Sequence, residues 1–201
     1  MMVDALTLLL KQLNGHIAQA DGSGAGAPAQ ALWGNVAQLD RQEIATELDN
    51  HIVLSLVNIE EERVLRNGQT FTSTGSDRGV YANRPLYLNL FLLFSANYRN
   101  YGTALKRLAQ VLAFFQGKQK FTFANSPGAV SPAAALAEFS LSMDLMSLTF
   151  EQVNHLWGYL GARQTPFALY RGRLVAIDDQ RVLEGGGRVR ELDITSRSMT
   201  A

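Results

Sequence analysis

The chain has 201 residues, 47% of them hydrophobic, with eighteen basic and eighteen acidic side chains and no cysteine. That length suits one domain with a substantial core. Zero formal net charge argues against a general polyanion binder such as a nucleic-acid coat, and the missing thiols exclude disulfides, thiolate zinc sites and cysteine nucleophiles together.

At the N-terminus, Asp4 stands where a signal peptide would carry a base, and the apolar residues are helically spaced. No run approaches the roughly 18 apolar residues of a membrane span. Cytoplasmic synthesis and assembly, without direct membrane insertion, is the expectation. Leu6, Leu9, Leu10, Leu13 and Ile17 predict a first helix capped by Asp4 and running to about Ala20. Residues 21–30 (DGSGAGAPAQ) read as a flexible loop; no strand precedes their glycines, as a dinucleotide fingerprint would require.

Leu32–Gln38 predicts a short strand, Glu43–Leu48 a turn of helix, and His51–Ile59, rich in β-branched residues, an interior strand. The polar stretch after Asn67-Gly68 reads as a surface loop or an edge hairpin of Val64–Arg66 with Thr70–Thr72. Leu86–Ala96 is apolar on both alternating faces apart from Asn89 and Ser95, the mark of a central strand buried on both sides, with Pro85 at its entry. Asn97 and Asn100 are candidate caps for a helix whose stripe is Ala104, Leu105, Leu108, Val111, Leu112 and Phe115, with Gly117 placed to end it. Lys120–Phe123 predicts a short strand. Phe139–Leu148 alternates strictly, with Ser140, Ser142 and Asp144 on a wet or partner-covered face. Thr149 and Gln152 form a capping box for a helix ending at Gly161, and Phe167–Ile177 predicts a last strand. Residues 181–201 read as a tail or inter-subunit arm. The order predicts an α+β domain over residues 1–180, a mixed or antiparallel sheet with helices on one side.

Catalytic apparatus is missing from this pattern. His16, His51 and His155 are isolated in sequence, and no serine elbow or helical metal-ligand pair accompanies them. Asp178 and Asp179 read as turn formers. No catalytic residue, metal or cofactor is assigned. Chemistry instead marks contact candidates. Glu60, Glu61 and Glu62 followed by Arg63 read either as a solvated strand end or as one pairing with arginines of a neighbouring subunit. Arg171 and Arg173, two apart on a strand, make a basic stripe that meets water or an acidic partner, for which those glutamates are candidates. Phe114 falls off the stripe carrying Phe115 and would mark a contact surface if exposed. Arg188 and Arg190 add basic charge beyond Gly185-Gly186-Gly187.

The run Asn50–Glu62, then Arg84-Pro85 with Tyr87 through Tyr98, then Tyr101, Ala104, Leu105 and Phe114–Lys118, resembles the N-terminal domain of the cap, or tail-terminator, proteins of extracellular contractile injection systems. Leu148–Gly161 with Pro166, Leu169 and Tyr170 extends the resemblance over most of residues 3–178. It implies a phage-tail-like structural protein with a sheet flanked by helices. Such a protein forms a hexameric ring that ends the inner tube and the contractile sheath, within a particle that is released or membrane-anchored. Its implied partners are sibling copies, tube protein and sheath protein, with no nucleic acid. The alternatives are a baseplate or tube adaptor of the same kind of particle, an unrelated oligomeric module, or a small enzyme.

Overall fold

The computed structural model describes residues 2–23, 28, 30–39, 46–62, 71–73, 78–82, 86–122, 124–126, 140–177 and 182–187. The chain forms two compact units, residues 1–63 with 86–177, and residues 64–85 with 178–201.

The first unit is built on a six-stranded sheet. Its strands are β1 (Ala31–Trp33), β2 (His51–Glu61), β5 (Leu86–Asn97), β8 (Phe167–Ile177), β7 (Ser140–Met146) and β6 (Lys120–Thr122), in that spatial order. Among the described residues only the β1/β2 pair of this sheet is parallel. β5 sits between β2 and β8, so the two-sided apolar run is interior as its composition demands. Its polar interruption Ser95 is buried and donates to the Val53 carbonyl. Ser55, buried in β2, donates to the Gly34 carbonyl at 2.6 Å and accepts from the Val36 amide. Both hydroxyls are therefore satisfied, as buried polar groups must be.

Among the described residues, α1 (Met2–Ala20), α2 (Tyr101–Gly117) and α3 (Phe150–Leu160) pack on this sheet. α1 begins two residues before Asp4, which therefore lies in its first turn rather than at the cap. Asn100 caps α2, accepting from the Thr103 amide, and Lys118 rather than Gly117 ends it, in an extended conformation. The Thr149/Gln152 capping box opens α3, and Gly161 closes it at φ 63°, the left-handed region that glycine enters without steric cost. The Leu32–Gln38 segment divides into β1 and a 3-10 turn, Val36–Gln38, capped by Asn35.

The helices do not lie on one side as the sequence predicts. α1 and α2 share a core with Ile52, Leu54, Leu90, Leu92, Phe94, Leu141 and Tyr170. α3 lies over the opposite face, where Trp157 packs with Leu93, Leu169 and Phe167. The reason is the period of the strand: Leu92 and Phe94 point one way, Leu93 the other, and each side must be covered.

The second unit contains a three-stranded antiparallel sheet in the order β3 (Phe71–Ser73), β4 (Arg78–Ala82), β9 (Val182–Gly187). Val182–Gly187, expected as the start of a tail or arm, is thus a strand. Val64–Arg66, Asp178, Asp179 and residues 188–201 lie outside the described residues.

Candidate interaction face

Cross-strand register assembles the polar face of the main sheet. In one row Glu60, Asn89, Arg173 and Ser142 stand opposite one another across β2, β5, β8 and β7. The adjacent row is Asn58, Phe91, Arg171 and Asp144. β2 carries a bulge between Leu56 and Asn58. The extra residue, Val57, shifts the alternation by one, which turns Glu60 onto the face that carries α3 and Glu61 onto the other.

Asp144 is the hub of this face. Arg173 donates to its Oδ2 at 3.1 Å, and Arg171 lies 3.7 Å from the same oxygen. The arginines find Asp144, which the alternation of β7 placed on a wet face without showing its partner. One carboxylate serves two guanidiniums. At the β2 end Glu62 accepts from Asn89 Nδ2 at 3.1 Å, and Glu60 accepts from Asn58 at 3.3 Å.

Asn89 is 7% exposed and its Oδ1 has no hydrogen-bond partner among the described residues; the same holds for Arg171 Nε. A buried polar atom left this way costs about 1–3 kcal/mol. Beside these rows, between α3 and β2, runs a groove of about 530 Å3. Phe91, Leu156 and Leu169 form its apolar floor, and Glu60, Gln152, His155 and Tyr159 its rim.

Phe114 is no contact residue. It is 7% exposed and packs against Phe115, Phe121 and the ring of His16. α1 supplies a second wall for α2, so two adjacent helix positions are buried instead of one. Arg63, Arg188 and Arg190 lie outside the described residues. His51 Nδ1 lies 2.8 Å from the Asp49 carbonyl, a local structural bond. Among the described residues no group of three or more His, Asp or Glu side chains is placed to hold a metal ion, and no helix is long and apolar enough to cross a membrane.

Residues 4–191 match the family model of the Pvc16 N-terminal domain. No curated protein matches the chain. Among cryo-EM structures, the fold is similar to a chain of the PVC sheath/tube terminator of an extracellular contractile injection system in its extended state. The identity is 12% and the TM-score 0.57, over 100% of this chain and 64% of that one. The anti-feeding prophage cap, a tube terminating cap, aligns over 73% of this chain and 49% of its own, with 17% identity and a TM-score of 0.48. This chain therefore spans less than two thirds of the length of either.

Proposed function

The chain belongs to the Pvc16 N-terminal domain family, and from that premise we propose that it is the cap, or tail terminator, of a contractile injection system. It forms a hexameric ring that ends the inner tube and the sheath. On this reading the chain works by contact rather than by catalysis, as part of an extracellular particle, with sibling copies, tube protein and sheath protein as its partners. The observation that carries the reading is the shared fold with a sheath/tube terminator along the whole chain. A tip-closing ring needs rigid subunits with two different contact patches, and a sheet packed on both faces provides the rigidity.

Size-exclusion mass and negative-stain images of the full chain test it. Rings of about six subunits support the proposal, and so do particles of irregular length when the chain is missing. A solitary chain together with particles of normal length overturns it.

Within this reading, Glu60, Glu61 and Glu62 of one copy meet basic groups of the next, with Arg171, Arg173 and the undescribed Arg63, Arg188 and Arg190 as the candidates. The two half-exposed guanidiniums that share the single Asp144 carboxylate support an acidic incoming surface. A Glu60/Glu61/Glu62 triple alanine variant should assemble less well, most visibly at low salt where charge pairs are least screened. Undiminished ring formation at moderate salt removes the glutamates from the interface.

A further inference from the structure

A heterologous contact, the kind that closes a ring, joins two unlike patches of the same subunit, each fitted to the other. The first unit offers such a pair on opposite faces of its sheet.

One patch is a ridge. α2 turns Tyr101, Leu105 and Leu112 outward, 66%, 46% and 38% exposed. Their spacing of four and seven residues keeps them on one flank of the helix. The other patch is the groove beside α3, concave and apolar at its floor, with Tyr159 85% exposed at its lip. Charge separates the two as well. α2 contains Lys106 and Arg107 and no acidic residue. Asp21 bonds both cations, so its single carboxylate leaves one positive charge over, and Lys106 stays largely in solvent. α3 contains Glu151 and neither lysine nor arginine, and Glu60 stands on the groove rim.

We infer that the α2 ridge of one copy seats in the α3 groove of a second copy, with Leu105 as the central anchor and Lys106 meeting the acidic rim. An amphipathic helix laid in an apolar groove is a recurrent mode of recognition, and opposite charges at the margin fix its register. Ridge against ridge would bring two basic helices together, and groove against groove would leave both floors open. The unlike pairing is favoured for that reason. The contact rests on the ring reading, but it can fail alone.

The chain has no cysteine, so introduced ones report without background. Leu105→Cys and Tyr159→Cys are made in the full chain, separately and together, at positions already facing solvent. Under mild oxidation a mixture of the two single variants should give covalent dimers. The double variant should give a ladder up to the ring, and neither single variant alone should cross-link. Single variants that cross-link with themselves overturn the pairing. So do rings, seen by size exclusion, in which the double variant stays uncross-linked; these remove this contact and leave the ring reading standing. A chain that never leaves the monomer overturns both.

Discussion

On the side that α1 and α2 cover, the main sheet ends in a closed aromatic core. Phe94, Phe115 and Tyr170 stand at 4.4 to 5.7 Å between ring centroids, and burial pushes the Tyr170 hydroxyl up to about 12. On the α3 side the same strands bury a smaller cluster around Trp157 and then run out into the Asp144, Arg171 and Arg173 face. The contrast teaches that one set of strands can close a core on one face and leave the other half-covered, because alternate residues serve the two sides.

The largest expected effect breaks the closed side. Phe115→Ala removes a ring that touches Phe94, Phe114, Phe121 and Tyr170 and should cost about 3–5 kcal/mol, read from urea unfolding. A loss under about 1 kcal/mol would mean that this side is not the stabilising one. Gly34→Ala comes next, at the edge of the other side. Its Cβ would stand 2.6 Å from Leu48 Cδ1 and 2.7 Å from Val53 Cγ1, and the overpacking should cost about 1–3 kcal/mol in the same assay.

Thr149→Ala loosens the start of α3. Losing the capping box should cost about 1 kcal/mol. If α3 also forms the wall of a contact groove, assembly should weaken more than the unfolding midpoint moves.

An effect that depends on pH belongs to the charged seam between the end of α1 and α2. Hydrogen bonds from Arg107, Gln110 and Lys106 hold the Asp21 carboxyl at about 2, below its ordinary 3.8. A depressed carboxylate contributes stability above the unfolded value, and that contribution is lost as pH falls through the folded one. The difference in melting temperature between the natural chain and Asp21→Asn should therefore persist at pH 6 and shrink between about pH 4 and 2. A constant difference across that window would show that the seam is not electrostatic.

Much of the first unit was legible in the sequence. The double apolar run of β5, the alternation of β7 and the capping box of α3 are local signals, and each names an element without help from distant residues. The face itself was half legible. Arg171 and Arg173 fall together because residues two apart in a strand share a side, but their partner Asp144 lies 27 and 29 positions away and appears only once β7 and β8 are in register. Phe114 was misplaced for a related reason, since a helical stripe drawn for one wall does not anticipate the second wall that α1 provides.

Sequence by itself determined most strands and helices of the first unit, the caps at Asn100, Thr149 and Gly161, and which residue types are missing, because propensity, period and capping act over a few neighbouring positions. Tertiary structure alone decided that α3 lies opposite α1 and α2, that Val182–Gly187 pairs with β4, and that one carboxylate serves two arginines. These depend on register and on which face is left to cover, and both are settled by contacts between residues far apart in the chain.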